Sequence, residues 1–127
     1  MVTKMKHHIK DLVFIYPLFK ATVDRLVRKI KSSKVKYDSI HAIPRGGFIL
    51  GVYLSHALKL PMVKNIKVGT TLICDDICDT GKTLETFKYN DKVVLVAKDK
   101  GIAKTERLIY GYTIGDEIWV KFHWEVE

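Results

Sequence analysis

Three aspartates and a Thr-Gly-Lys-Thr turn stand together in Asp75-Asp76-Ile77-Cys78-Asp79-Thr80-Gly81-Lys82-Thr83. Carboxylates in such a row can hold hydroxyls, a hard cation or a proton. A glycine lets backbone N–H groups approach a phosphate closely. The run Thr71 to Cys74 ahead of them reads as a β-strand, and the residues after Gly81 as the opening of a short helix. Three readings compete for this stretch. Gly81-Lys82-Thr83 matches the end of a nucleoside-triphosphate P-loop, but that motif needs a glycine where Asp76 stands, and a carboxylate there repels phosphate. A strand end with a capping aspartate explains one acid, not three. A sugar-phosphate site uses them all, with the carboxylates on hydroxyls or a metal and the turn on the phosphate.

A second turn, Pro44-Arg45-Gly46-Gly47, has the same setting. Two glycines and a guanidinium suit a pyrophosphate, although alone such a turn is an ordinary strand-to-helix connection. Lys98, at the end of an apolar run, and Trp119 complete the chemistry-bearing set. On their own they read as a solvated strand end and a core aromatic.

The elements that must position these residues are legible from periodicity. Phe19, Val23, Leu26, Val27 and Ile30 recur at helical spacing, which predicts a helix from about Pro17 to Lys31 after the apolar run Leu12 to Ile15. Tyr37 to Ile43 predicts a strand, Phe48 to Leu58 a buried helix, and Leu60 to Val63 a short edge strand. Val68-Gly69 predicts a turn before the central strand, Thr71 to Asp76, and Thr83 to Phe87 a short helix. Lys92 to Lys98 is β-branched and apolar enough for a strand buried on both faces, and Asp99 to Gly101 reads as a turn. Leu108 to Tyr110 and Ile118 to Val120 are later strands. Alternating strands and helices predict an α/β fold with a mainly parallel central sheet flanked by helices. In such sheets ligands gather beyond the carboxyl ends of the strands, where both glycine turns fall.

The stretch Asp75 to Thr83 resembles the phosphoribosyl pyrophosphate (PRPP) motif of the type I phosphoribosyltransferases. Pro44 to Gly47 is similar to that family's pyrophosphate loop, and Val94 to Lys98 with Trp119 to Glu125 looks like the bacterial xanthine–guanine branch. The resemblance implies a salvage enzyme that makes a nucleoside monophosphate from PRPP and a 6-oxopurine. It implies a 5-phosphate held by Asp79, Thr80, Gly81, Lys82 and Thr83, and ribose hydroxyls held by Asp75 and Asp76, directly or through Mg²⁺. It further implies a pyrophosphate on Arg45 and Gly46, with a cis peptide joining those two residues, and Asp79 as general base. Lys98 would contact the purine 6-oxo group, Trp119 would stack on the ring, and the Val120 backbone would read the 2-position. A homodimer or larger assembly is expected from the resemblance, with Tyr53 and His56 as interface candidates. One family feature is missing: the usual mobile lid is reduced to Lys64 to Thr70. That motivates an alternative of the same fold, a regulator that binds PRPP or a nucleotide without turnover. Another base or amine as acceptor is a further alternative.

Composition agrees with these readings. With 127 residues, 47% of them hydrophobic, the chain has the size and apolar content of one domain spanning 1–127. No apolar run is long enough to cross a bilayer and no secretory signal is visible, so a cytoplasmic location is expected. The net charge of +8 suits an anionic small substrate. Its lysines are scattered without interleaved aromatics, which disfavours nucleic acid. Cys74 and Cys78 lack the further ligands of a zinc site and are expected to pack as small apolar residues, Cys74 on the strand and Cys78 in the following loop. Residues 1–11, polar and basic, are expected to be partly frayed.

Overall fold

Strands β2 (Ser39–Ala42), β3 (Thr71–Cys78), β4 (Lys92–Lys98) and β5 (Leu108–Ile114) lie side by side in that order, every pair parallel. The computed structural model describes residues 11–125. The basic stretch expected to fray therefore lies outside the described residues, apart from Asp11. Parallel strands need crossovers, and helices supply them. Helix α1 (Tyr16–Ser33) precedes β2, α2 (Gly47–Leu58) joins β2 towards β3, and α3 (Asp99–Lys104) joins β4 to β5. The expected α/β architecture is the observed one.

Helix α1 starts where Pro17 can occupy the first turn without losing a hydrogen bond, and ends at Lys34 in the left-handed conformation (φ 60°). Its buried face is Phe19, Thr22, Val23, Leu26 and Ile30. Thr22 enters that face because its hydroxyl donates to the Leu18 carbonyl (2.7 Å), while Val27 is only half-buried. Every residue of β4 is buried, as its apolar run requires. Phe19, Leu26, Leu50, Leu54, Leu72, Val93 and Leu95 form the centre of the core.

Four local expectations need correction. The run Leu12 to Ile15 is not merely a lead-in: Asp11–Phe14 is a strand, β1, paired in parallel with β6 (Trp119–Phe122) in a separate two-stranded sheet. Its partner is more than a hundred residues away, which local periodicity cannot reveal. Leu60 to Val63 is not a strand but a single bridge of Met62 to Ile40, since Pro61 has no N–H to offer a ladder. Asp99 to Gly101 opens α3 rather than a simple turn. Thr83 to Phe87 contains only one 3₁₀ turn, Leu84–Thr86.

The amino ends of the strands are tied by polar contacts. The Lys92 ammonium donates to the Phe87 and Asn90 carbonyls (2.7 and 2.8 Å), and Asn90 donates to those of Lys67 and Thr71. Asp91 accepts from Tyr37 and Arg107. At the opposite, carboxyl ends stand the residues selected from the sequence, Asp75, Asp76 and Lys98.

Candidate active site

Both glycine turns stand at the carboxyl end of β3: Gly46 and Gly47 lie against Cys74 to Asp76, and the second turn follows Cys78 directly. Ile43 donates its N–H to the Cys74 carbonyl (2.9 Å), so the chain leaving β2 stays against β3 until Pro44. The turn then passes over Asp76. A Cβ on Gly46 would stand 2.6 Å from the Asp76 Cγ, and one on Gly47 would stand 2.5 Å from the Cys74 carbonyl oxygen. Both glycines are therefore required by close approach. The turn contains a non-proline cis peptide, but between Pro44 and Arg45 rather than between Arg45 and Gly46 as expected. The twist sits one residue earlier, so that both Arg45 and Gly46 follow it into α2.

Arg45, Gly46 and Asp76 line one cavity of about 570 Å³ together with Trp124 and Glu125. The last two carry no assigned role in the sequence reading, although they end the same Trp119-to-Glu125 stretch. Trp124 stacks on Phe122 (centroids 4.7 Å apart, planes 7° apart) and meets Phe19 edge-on. That packing holds the chain's end against the site.

Burial and mutual charge act on the carboxylates. Asp75 is pushed up to about 7, first by burial and then by the Asp76 charge. Asp76 is also raised, chiefly by burial, with the Glu125 charge contributing. The Asp75 carboxylate accepts from the Asp76 N–H (2.8 Å). Burial likewise pushes the Cys74 thiol well above its ordinary range, so it packs rather than reacts. Cys78, expected in the loop, is the last residue of β3 and is also buried.

The phosphate turn begins at Asp79. Gly81 adopts φ +82°, and a Cβ there would stand 2.5 Å from Thr105 Oγ1. Lys82 donates its N–H to Thr80 Oγ1 (3.2 Å). The turn is braced from below by α3, where Gly101 lies against the Cys78 and Asp79 carbonyls. The structure also brings two sequence-selected residues into contact: Lys98 Nζ lies 3.3 Å from Asp79 Oδ1, with Lys100 Nζ at 3.6 Å on the same oxygen. Lys98 is only 6% exposed, so it is no solvated strand end. Lys100 was not selected from sequence, because one lysine in a basic chain carries no local signal.

Trp119 is 54% exposed, against the core-aromatic alternative, while its neighbour Val120 is buried. Tyr53 meets Phe19 edge-on (5.0 Å), on the core side of α2. His56 is exposed, as are Phe48 and Val52 on the same helix. The lid-like stretch Lys64 to Thr70 is pinned at the amino end of β3, where Lys67 donates to Thr71 Oγ1 and accepts from the Thr71 N–H. The carboxylates are at the other end of that strand. No helix among the described residues is long and apolar enough to cross a membrane.

Neither the protein-family models nor the curated proteins contain a match to this chain. Solved structures do. A purine phosphoribosyltransferase from Pyrococcus horikoshii superposes with a TM-score of 0.72 at 24% identity, over 93% of this chain and 96% of that one. The Helicobacter pylori xanthine-guanine-hypoxanthine phosphoribosyltransferase gives 0.75 at 20% identity, over 91% and 93%. A Neisseria gonorrhoeae hypothetical protein with bound ppGpp gives 0.73 at 21%, over 92% and 90%. The parallel sheet, the two glycine turns at its carboxyl end and these superpositions together establish that the chain has the fold of the type I phosphoribosyltransferases.

Proposed function

We propose that this chain transfers the phosphoribosyl group of PRPP to a 6-oxopurine, releasing pyrophosphate, with residues 1–127 acting as one catalytic domain. The observation that carries the reading is the seating of Gly46 on Asp76, which sets the first turn and its Arg45 in one cavity with the carboxylate of the strand that leads into the second turn. A phosphate, a diol and a pyrophosphate then have separate places. The 5-phosphate occupies Asp79 to Thr83, the ribose hydroxyls face Asp75 and Asp76, and the pyrophosphate meets Arg45 and the Gly46 amide.

The purine stacks on exposed Trp119, with its 6-oxo group towards Lys98 and its 2-position towards the Val120 backbone. As the ring nitrogen bonds to C1 and the bond to pyrophosphate breaks, Asp79 takes the N7 proton. Lys98 and Lys100 hold that carboxylate in place. Arg45 receives the charge that grows on the leaving group.

The residues fit Mg²⁺ in one respect: Asp76 and Glu125 face the same cavity and the Glu125 charge raises Asp76, so a cation between them relieves repulsion. Among the described residues no three His, Cys, Asp or Glu side chains converge to hold a metal unaided. Asp76 and Glu125 would therefore hold the ion with substrate oxygens and water. Bound Mg²⁺ supplies neutralisation of pyrophosphate charge. Exposed Phe48, Val52 and His56, spaced four residues apart along α2, suit a homodimer contact.

Incubation with PRPP, Mg²⁺ and, in turn, guanine, xanthine and hypoxanthine tests the reaction. Stoichiometric pyrophosphate and nucleotide are expected from at least one base, and none from any base overturns it. The second reading, a PRPP or nucleotide binder without turnover, draws on the position of Lys64 to Thr70 at the wrong end of β3 for a lid. It predicts saturable PRPP binding with no product.

A further inference from the structure

A cavity of about 710 Å³ lies near the amino ends of β4 and β5, and the start of the chain after the phosphate turn forms one of its walls, Glu85 donating its N–H to the Gly81 carbonyl (2.8 Å). Glu85, Thr86, Lys88, Tyr89, Lys92, Lys104, Glu106 and Arg107 line it. Lys92 begins β4 and Lys98 ends it, so roughly 20 Å of strand separates this cavity from the Lys98–Asp79 pair.

Its chemistry favours an anion. Four cationic side chains face two glutamates across it. Arg107 is paired with Asp91 through its Nε (2.8 Å). Lys92 is only 1% exposed, and its ammonium is held by two carbonyls, with no carboxylate ion-paired to it among the described residues. Burial first, and then the Arg107 charge, lower its pKa, with the Asp91 and Glu106 charges acting in the opposite sense. Lys104 is held in place, since α3 packs on the phosphate turn and a Cβ on Gly81 would stand 3.5 Å from its own Cβ. Tyr89 is 66% exposed, so one face of its ring is accessible from the cavity. A flat ring can lie on it while a phosphate reaches the lysines. The volume falls in the ordinary range for small-molecule sites.

We propose that this cavity is a second ligand site, separate from the PRPP cavity, that takes a mononucleotide with its phosphate on Lys88 and Lys104 and its base on Tyr89. The inference stands apart from the phosphoribosyl-transfer reading, because it uses none of the same side chains.

The test is calorimetric titration with AMP, run on the Lys82→Ala/Trp119→Ala protein so that the phosphate turn and the stacking face of the PRPP site are disabled. One saturable site per chain is expected there. Lys88→Ala/Lys104→Ala in the same background should weaken it about 10–100-fold, the loss expected for charge-assisted hydrogen bonds, and Tyr89→Ala should weaken it several-fold. In the otherwise native protein, Lys88→Ala should leave pyrophosphate release from PRPP unchanged. AMP binding that is absent, or unaffected by Lys88, Lys104 and Tyr89 substitutions, overturns the proposal. So does retention of a labelled oligonucleotide by these lysines in place of AMP. Failure of PRPP turnover with AMP binding intact would sink only the transfer reading.

Discussion

Gly46 sits on the Asp76 carboxylate so closely that a Cβ at position 46 would stand 2.6 Å from the Asp76 Cγ. The relationship couples a loop after β2 to a carboxylate at the end of β3, and it makes the two positions interdependent. Gly46→Ala should push the Asp76 side chain off its position and lower kcat/KM for PRPP about 10–100-fold. Stability should fall by only about 1 kcal/mol, because a carboxylate can rotate away. Gly47→Ala meets backbone instead, the Cys74 carbonyl, and should cost about 3 kcal/mol. Urea denaturation beside steady-state kinetics on both variants checks the contrast, and equal stability losses would contradict it.

The carboxylate pair gives stability a pH dependence of definite sign. Asp75 stands at about 7 in the folded protein against 3.8 ordinarily. The folded state thus holds a proton that the unfolded chain has released. This contribution is fully present below about pH 4 and is lost as pH rises through 7. Asp75→Asn should therefore be near neutral in stability at pH 4 and stabilising by on the order of 2 kcal/mol or more at pH 8. Denaturation midpoints at the two pH values decide it. PRPP affinity should move the other way, rising from pH 6 to 8 as the pair ionises.

Lys98 and Lys100 both reach Asp79, but only Lys98 is buried. Lys98→Ala should lower kcat/KM for the 6-oxopurine about 100-fold or more and erase its preference over adenine, since a site built to hydrogen-bond a group loses most when the bond is removed. Lys100→Ala should cost less than about threefold, the weak effect of an exposed ion pair. Competition assays with guanine and adenine provide the readout.

The two tryptophans should separate by phenotype. Trp119 is half-exposed, so Trp119→Ala should change stability by less than about 1 kcal/mol while raising KM for the base about tenfold or more. Trp124 packs between Phe122 and Phe19, so Trp124→Ala should cost about 3 kcal/mol. If Trp119→Ala leaves the KM of every purine intact, the acceptor is not a stacked purine.

Much of this protein is determined by the sequence alone. Apart from β1, α3 and the edge strand at Leu60 to Val63, the strand and helix order follows from apolar period, with β4 found to the residue because a run buried on both faces has no polar interruption. The two turns are legible because Asp-Thr-Gly-Lys-Thr after a strand has few structural uses, and because Pro-Arg-Gly-Gly after another strand gains meaning beside it. The tertiary structure decided what lies far apart in sequence and close in space. It set β1 against β6, put Trp124 and Glu125 into the cavity with Asp76, and laid Lys98 on Asp79. It also moved the cis peptide to Pro44–Arg45 and carried α3 through Gly101, whose lack of a side chain lets that helix press on the phosphate turn. Local pattern reports what each segment buries. Only the packed sheet, by fixing which strand ends are neighbours, says which charges face one another.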